Sequence, residues 1–353
     1  MTIDAILLAS FGGPEGPEDV VPFLQNVTAG RNIPAERLEA AGHHYYQLGG
    51  ISPINEQNRE LIEALRDELA DRGVRLPIYW GNRNWQPSFA DAIGDMQHDD
   101  RRNVLALSTS AHSSYSGCRQ YRENIAAAKA EVGADDMSIS LARPYGNRAG
   151  FITRTLEVLI DALRFLVENG HHELAIQILF TTHSIPAQSA LTSGPEPHEA
   201  PGEYVRQHES VMEEMMRLVR ISTLLNSPHR LVFQSRSGAP DTPWLEPDIN
   251  DAMRALADAG STTAVVIVPI GFISDHMEVI WDLDREALAT AEELNFEYIR
   301  VPTAGIAAPF VSALADVVED VIYGVETRTS PAGLCSGTCC PNPRAELPTI
   351  PGV

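Results

Sequence analysis

Short apolar runs rich in β-branched residues alternate along the chain with stretches whose apolar residues recur at helical spacing. In the stretch 57–71, Leu61, Leu65 and Leu69 lie four residues apart, which is the spacing of one helix face. Strands that alternate with helices in this way build parallel sheets through right-handed crossovers. The pattern predicts strands at 3–10, 76–80, 104–110, 137–141, 174–181, 231–234, 264–269 and 297–301.

The spacing of these strands divides the chain into two groups of four, and 353 residues exceed the usual size of one domain. We therefore predict an α/β protein with two similar halves, 1–150 and 151–307, each a four-stranded parallel sheet flanked by helices. A cleft between the halves is expected. A last helix, 308–328, should return to pack on the first half. The segment 329–353 is rich in Pro, Gly and Ser, which predicts an irregular tail.

The net charge of −22 argues against nucleic acid as a partner, because a phosphate backbone requires a basic surface. Lys129 is the only lysine, so an anionic ligand would have to be held by a few arginines. The acidity would instead concentrate cations such as Fe²⁺ near the protein. The first ten residues lack a basic start and a long apolar run, which predicts a cytoplasmic protein without a membrane anchor.

Two of the predicted strands end on a histidine. His183 follows the fifth strand, and His276 and Glu278 follow the seventh. Ligands of open α/β sheets bind just beyond the carboxyl ends of strands, so these residues lie where chemistry is done. Such a histidine could equally be a structural hydrogen-bonding group, but a neutral imidazole beside a carboxylate can accept protons and bind a divalent metal.

Carboxylates continue beyond Glu278 at helical spacing. Asp282 and Glu286 follow at steps of four, and Asp284 lies close to the same face. Such a face is often merely solvated. Like charges stacked in this way repel one another, however, and a row of oxygen ligands suits a hard or borderline divalent cation. We therefore predict that this face binds a divalent cation.

The turn at 11–16 (FGGPEG) lies between the first strand and a helix, where a dinucleotide loop would be found. The match is poor, because the glycine spacing is wrong and Glu18 and Asp19 at the helix start would repel a pyrophosphate. A tight turn that lets a flat ligand approach the backbone is the better interpretation. The segment 45–54 mixes aromatic, glycine and hydroxyl groups, which fits either core packing or the wall of a pocket.

Four cysteines are the number that a tetrathiolate site requires. Cys118 lies at the start of a predicted helix, and Cys335, Cys339 and Cys340 fall within six residues of the tail. A thiol at a helix start ionises readily, which favours a ligand role. The spacing does not decide between zinc and a [2Fe-2S] cluster, and a thiol-rich tail unrelated to Cys118 is an equal alternative.

Taken together, these segments resemble the ferrochelatase family. The resemblance covers residues 3–325, and two histidine motifs are its most specific part. The matching motifs are 7–14 (LLASFGGP), 49–53 (GGISP), 180–186 (FTTHSIP) and 271–278 (GFISDHME), the last continuing to Asp282 and Asp284.

The resemblance implies a two-domain chelatase fold that binds a porphyrin between its halves and inserts Fe²⁺ without an organic cofactor. His183 and Glu278 match the residues that handle protons and Fe²⁺ on either side of the macrocycle, and His276, Asp282 and Asp284 match a metal path. Cys118, Cys335, Cys339 and Cys340 match the ligands of a [2Fe-2S] cluster. Porphyrin-contacting positions are matched by Ser52 and Tyr121 and, less specifically, by Arg31, Tyr45 and Phe11.

Two departures from the family bear on the substrate and the cluster. Animal members have an apolar lip that sits on a membrane, whereas the corresponding segment 23–32 is polar here. We therefore predict a carboxylate-rich substrate, coproporphyrin III, as in the actinobacterial branch, rather than protoporphyrin IX. Phe11 replaces the tyrosine of some bacterial members, so axial contact through a phenol is excluded. The tail spacing also differs from the animal pattern, so the cluster type is less fixed than its presence.

Metal insertion requires that the flat ring be bent and that two protons leave its central nitrogens. Neutral His183 is the better base, and Glu278 with the carboxylates behind it would carry the metal or the released protons. One alternative is a chelatase that loads cobalt or nickel into another tetrapyrrole. An alternative of another class is a non-catalytic haem-binding or iron-sulfur sensor protein, for which an acidic helix face has no use. A monomer is expected.

Overall fold

The computed structural model describes residues 2–29, 35–237, 241–324, 335 and 338–353. All eight predicted strands are confirmed, with ends that differ by no more than two residues from the sequence pattern. The strands are β1 (Ala5–Ser10), β2 (Ile78–Asn82), β3 (Asn103–Ser108), β4 (Ser138–Leu141), β5 (Ile176–His183), β6 (His229–Gln234), β7 (Ala264–Pro269) and β8 (Glu297–Arg300).

The strands form two parallel four-stranded sheets of the same topology, which confirms the predicted fold class. Their orders are β2-β1-β3-β4 and β6-β5-β7-β8. Every residue of the central strands β1 and β7 is buried, as expected of strands covered by helices on both faces. Their uninterrupted apolar sequences AILLAS and AVVIVP follow from that double burial.

Helices connect the strands and cover the sheets. The longer ones carry apolar residues on one face, as in α3, where Leu61, Leu65 and Leu69 are all buried. The helices are α1 (Val20–Val27), α2 (Ala35–Gln47), α3 (Ile54–Asp71), α4 (Phe89–His98), α5 (Gln120–Glu131), α6 (Ala149–Glu168), α7 (Ala187–Leu191), α8 (Glu203–Thr223), α9 (Ile249–Ala259), α10 (Met277–Trp281), α11 (Leu288–Glu293) and α12 (Ala308–Tyr323).

Two single-turn π-helical segments interrupt this regular pattern, at Tyr115–Arg119 before α5 and at Asp282–Ala287 between α10 and α11. Such turns occur frequently at functional sites, because one extra residue per turn redirects the side chains that follow. The first contains Cys118 and the second contains Asp282 and Asp284. Both therefore fall on residues that the sequence singled out.

The chain forms two compact units. The first comprises Met1–Ser110, Ser116–Arg143 and Leu314–Val353, and the second comprises Ala111–Tyr115 and Pro144–Ala313. Within the first unit, Arg72 at the end of α3 pairs with Asp316 and Glu319 of α12 at 2.7 Å each. None of the helices in the described ranges combines the length and apolarity that crossing a bilayer requires.

The described part of the tail packs against the first unit. Gly352 forms a parallel bridge with Leu141 at the end of β4 and an antiparallel bridge with Cys335. Arg122 of α5 donates to the carbonyl of Ile350 at 2.7 Å, and its own carbonyl accepts from the amide of Ile350. The tail therefore adds backbone hydrogen bonds at the edge of the first sheet although it has little regular structure.

Candidate active site

His183 and Glu278 lie together at the carboxyl edge of the second sheet. His183 is the last residue of β5, and Glu278 is the second residue of α10, which follows the exit of the adjacent strand β7. The Nε2 atom of His183 is 3.7 Å from Oε2 of Glu278, and the two side chains are 31% and 47% exposed. The structure therefore brings together two residues that are 95 positions apart in the chain, on a solvent-accessible edge.

The hydrogen bond of the His183 ring fixes its neutral tautomer. Nδ1 lies 2.5 Å from the carbonyl oxygen of Ser184. A carbonyl can only accept, so in the neutral ring Nδ1 carries the proton and Nε2 carries the lone pair. The lone pair is thus on the nitrogen that faces Glu278, where it can take a proton or bind a cation.

The separation of these two groups corrects one expectation from the resemblance. A flat macrocycle between two atoms requires roughly 7 Å, twice the contact distance of about 3.5 Å. His183 and Glu278 are 3.7 Å apart, so the expectation that they flank the ring on opposite sides does not hold for this structure. They form a single pair of neighbouring side chains, which would face one side of a bound ring.

Asp282 lies behind this pair in an environment that favours its protonated form. Burial raises its pKa to about 7, against a smaller opposing effect of its hydrogen bond with Ser235, and nearby Glu278 raises the pKa further. Its Oδ2 atom accepts from the Ser235 hydroxyl and from Nε2 of Gln234 at 3.3 Å. A carboxyl group with a pKa near 7 exchanges its proton readily at neutral pH.

Gln234 and Ser235 are residues of this site that the sequence analysis missed. Gln234 ends β6 directly beside His183 in the register of the second sheet. Ser235 follows with φ = +62°, a left-handed backbone conformation that non-glycine residues adopt rarely. Such strain is concentrated at functional sites. The available sequence signal was a pair of polar residues at the carboxyl end of a strand.

His276 serves the start of helix α10. Its Nδ1 atom accepts a hydrogen bond from the backbone amide of Glu278 at 3.2 Å, which satisfies one of the unpaired donors of the first turn. Burial is the main cause that lowers the pKa of His276, and the nearby His183 lowers it further, so the ring is neutral at pH 7. Its lone pair is therefore already engaged in holding the helix that carries Glu278.

The remaining carboxylates do not form the uniform row that their spacing suggested. Both oxygens of Asp284 are bound by Arg300, at 2.8 and 2.6 Å, and Glu286 accepts from the indole N–H of Trp281 at 2.8 Å. The reason is the π-helical turn at Asp282–Ala287, which breaks the four-residue period. Arg300, which also binds Asp275 at 2.9 Å, was not predicted from the sequence.

Three of the predicted porphyrin contacts, Phe11, Tyr45 and Tyr121, lie in the first unit and contact either Phe23 or Arg83. Phe11 and Tyr45 both pack edge-on against Phe23, with ring centroids 6.2 and 5.8 Å away. The guanidinium of Arg83 lies 3.8 Å from the ring centroid of Tyr121 and 6.0 Å from that of Phe11. Tyr121 is thus buried beneath Arg83.

Of the two other predicted porphyrin contacts, the structure describes Ser52 but not Arg31. Ser52 is buried and donates its backbone amide to Pro14 at 2.9 Å. Its Cβ lies so close to Gly13 that a side chain on Gly13 would meet it at 2.7 Å, so this turn requires glycine. Arg31 lies outside the described residues.

The four cysteines are brought together within the first unit. The thiol of Cys340 interacts with those of Cys118 and Cys339, and the thiol of Cys335 interacts with that of Cys339. The sulfur atoms of Cys339 and Cys340 are 3.9 Å apart, and none of the four cysteines forms a disulfide. These thiol contacts, followed by burial, raise the pKa of Cys335 and of Cys340.

This set of donors suits a thiolate-bound metal centre. Two neighbouring thiolates repel each other, and a bound cation offsets that repulsion and stabilises the deprotonated thiols. Arg122 lies near enough to lower the pKa of Cys335. Within the described ranges, however, no three His, Cys, Asp or Glu side chains have the arrangement of a metal-binding group. The tetrathiolate site expected from the sequence is therefore not confirmed by the described residues and stays a prediction.

Comparison with known proteins places this arrangement in a family. The family model described as ferrochelatase matches residues 3–322. The chain is 48% identical to the coproporphyrin III ferrochelatase of Streptomyces coelicolor over 99% of this chain and 96% of that protein. It is 46% identical to the protein of the same name from Streptomyces griseus, with the same coverage, and 45% identical to that of Tropheryma whipplei over 97% and 90%. Matches of this length and identity show that the chain belongs to the ferrochelatase family.

Proposed function

We propose that the protein inserts Fe²⁺ into coproporphyrin III to give Fe-coproporphyrin III in haem biosynthesis, as a metal chelatase of the lyase class. The observation that carries this proposal is the His183–Glu278 pair, in which a lone pair on Nε2 lies 3.7 Å from a carboxylate. Relatives of nearly full length that are named for coproporphyrin III supply the substrate.

The reaction balances on this pair of residues. The free porphyrin carries two N–H protons, and both leave as Fe²⁺ enters, so the products are two protons and an iron porphyrin whose central core has no net charge. His183 accepts one proton at Nε2, and Glu278 is a carboxylate acceptor for the other. Imidazole and carboxylate are also ligands for Fe²⁺, so the same pair can hold the incoming metal before it enters the ring.

The other polar residues near the His183–Glu278 pair are candidates for carrying released protons away or for delivering Fe²⁺. Asp282, with its pKa of about 7, can take a proton from the pair and release it at neutral pH. His276 and Asp284, which the sequence analysis also assigned to a metal path, are engaged with the Glu278 amide and with Arg300. Asp282 is therefore the stronger candidate for this role.

Coproporphyrin III is favoured over protoporphyrin IX by the polarity of α1 as well as by the names of the relatives. The outward-facing residues Gln25 and Asn26 are exposed and polar, where a membrane-binding lip would be apolar. Coproporphyrin carries four carboxylates and protoporphyrin two, so the former requires less apolar surface. Arginines suit those carboxylates, because the guanidinium binds them in a bidentate manner.

The decisive experiment is an anaerobic assay with Fe²⁺ and each porphyrin, followed by absorbance. We expect turnover with coproporphyrin III to exceed turnover with protoporphyrin IX, and we expect His183→Ala and Glu278→Gln to bind porphyrin but lose at least 100-fold in kcat. His98→Ala and Glu293→Gln, which change exposed residues on α4 and α11, are the matched controls. Binding of porphyrin without consumption of Fe²⁺ by the wild-type protein would support a carrier or sensor instead, and near-normal activity of His183→Ala would refute its role.

We also propose that Cys118, Cys335, Cys339 and Cys340 hold a [2Fe-2S] cluster. When bound, such a cluster supplies one-electron redox chemistry and a covalent anchor for the tail. The support is the gathering of four thiols from two distant segments, with the pKa of Cys335 and of Cys340 raised by their neighbours. A tail with so little apolar surface gains order from such a centre.

The cluster proposal is tested by spectroscopy rather than by activity. Cys118→Ser and Cys340→Ser should each abolish the visible absorption of anaerobically purified protein and lower its melting temperature. Ser116→Ala, which changes a hydroxyl of the same π-helical turn, should retain the spectrum. A colourless wild-type protein, stoichiometric zinc, or a full iron-sulfur spectrum after either cysteine substitution would contradict the assignment.

The predicted setting of the protein is a cytoplasmic monomer that has no stable membrane association and does not bind nucleic acid. The net charge of −22 supports the last two points, because both anionic lipid and phosphate backbones would be repelled. Light scattering after size exclusion measures the mass, and a value of twice 38.5 kDa would contradict the monomer.

A further inference from the structure

A buried tyrosine on helix α8 reaches the end of the strand that carries His183. The hydroxyl of Tyr204 donates to the carbonyl oxygen of His183 at 2.8 Å. It also contacts the Thr182 hydroxyl at 2.8 Å, and because its own proton is used on the carbonyl, it accepts from Thr182. Tyr204 lies 21 positions from His183 and does not belong to any of the motifs that the sequence analysis identified.

These contacts hold the peptide group between His183 and Ser184 from both sides. Its carbonyl accepts from Tyr204, and its N–H, on Ser184, donates to the carbonyl of Gln234 at 2.7 Å. The next carbonyl, that of Ser184, accepts the Nδ1 proton of the His183 ring. The orientation of this peptide therefore determines where the ring lies and which nitrogen is free.

The tyrosine itself is held rigidly. Gly202, at the N-cap of α8, has φ = +89°, and a side chain there would lie 1.8 Å from the carbonyl oxygen of Ala190, so only glycine allows α8 to approach α7 this closely. The amide of Tyr204 donates to the hydroxyl of Ser193 at 2.7 Å, and His208 donates from Nδ1 to its carbonyl at 2.7 Å. Burial raises the pKa of Tyr204, so the hydroxyl remains a proton donor.

We propose that Tyr204 is a positioning residue for His183, which keeps the Nε2 lone pair directed toward Glu278 through the clamped 183–184 peptide. This inference rests on the proposed role of His183. Without the hydroxyl, the His183 carbonyl loses its donor and the peptide can rotate, so the bond from Nδ1 to Ser184 is no longer enforced. The ring then samples orientations in which Nε2 is not aligned for proton transfer.

The test is Tyr204→Phe, which removes one oxygen and retains the ring packing. We expect kcat to fall about tenfold while KM for porphyrin and for Fe²⁺ stays within about twofold, because misalignment affects the reacting geometry and not the pocket. In protein labelled with [¹⁵N]histidine, His183 should change from one neutral tautomer to a mixture of both. A merely structural role would leave that tautomer unchanged.

Two further variants keep the result interpretable. Ile249→Val removes a buried methyl group from α9 and provides a destabilised control, which should retain the wild-type kcat at a similar loss of melting temperature. Thr182→Val removes the partner that orients the Tyr204 hydroxyl, and should lower kcat by a smaller factor than Tyr204→Phe does.

The outcomes separate the inference from the proposed function. A wild-type kcat and a single His183 tautomer in Tyr204→Phe would overturn the positioning role while the requirement for His183 stands. An equal loss of kcat in Ile249→Val would overturn it as well, because the effect would be one of general stability. Near-normal activity of His183→Ala would instead refute the proposed role of His183 itself.

Discussion

Replacing His112 with glutamine should make the second unit less sensitive to acid. His112 is buried and donates from Nε2 to the carbonyl of Ile270 at 3.0 Å, and its ring stacks on that of His208 with centroids 3.9 Å apart. Burial lowers the pKa of His112 from 6.5 to about 4, because the charged ring is poorly solvated there. His208 is affected in the same direction by burial and by His112.

The sign of the pH effect follows from where the proton binds. Between pH 6.5 and 4 the unfolded chain takes up a proton that the folded protein excludes, so stability falls as the pH is lowered through this window. Each pKa unit corresponds to about 1.4 kcal/mol. A single group with these two pKa values therefore lowers the free energy of unfolding by about 2 kcal/mol at pH 5 and by about 3 kcal/mol near pH 4. Above pH 7 it has almost no effect.

His112→Gln is the informative variant, since the amide nitrogen of glutamine can occupy the place of Nε2 and still donate to Ile270 without titrating. We expect urea unfolding to show similar stability for both proteins at pH 7.5. At pH 5 the variant should have lost about 2 kcal/mol less than the wild type. Parallel curves of unfolding free energy between pH 7.5 and 5 would show that His112 is not the source of the acid sensitivity, and would refute the argument.

Two further predictions follow from the packing around His112 and from the acidic helix. Gly146→Ala would place a methyl carbon 2.3 Å from the ring of His112 and should destabilise the protein by about 2 kcal/mol. Gly94→Ala is the control, because a methyl group there meets open space, and it should be neutral or slightly stabilising. Thermal unfolding measures both effects. Asp282→Asn should weaken the apparent affinity for Fe²⁺ and alter the pH profile of kcat near pH 7, and Asp284→Asn should mainly lower stability, because its charge is paired with Arg300. The reverse ranking of Fe²⁺ affinities would contradict the assignment of Asp282.

The fold could be predicted closely because its central strands are buried on both faces. A strand such as β7, with the sequence AVVIVP, has to be apolar at every position, and that pattern is visible without any structure. The position of His183 at the end of one such strand, and of Glu278 beyond the end of another, was visible for the same reason. That the two residues are neighbours was not predicted, because it depends on the pairing of β5 with β7, which are separated in the chain by β6.

The acidic helix shows where that reasoning failed. Four-residue spacing predicts one shared face only while the helix is regular, and the π-helical turn at Asp282–Ala287 adds a residue that redirects each carboxylate to a different partner. Arg300, which neutralises Asp284, lies 16 positions downstream at the end of β8. No local pattern connects the two residues.

By itself, the sequence determined the parallel sheets, the two histidine-bearing strand ends and the supply of cysteines, because each depends on local periodicity or on residue type. Only the tertiary structure decided that Nε2 of His183 is the free nitrogen, that Asp282 has a pKa of about 7, and that Tyr204 clamps the peptide after His183. Those properties depend on burial and on contacts between distant segments. Burial removes a polar or charged group from water, and the resulting free-energy change depends on which distant groups contact it in the folded protein. The order of residues along the chain does not give those contacts.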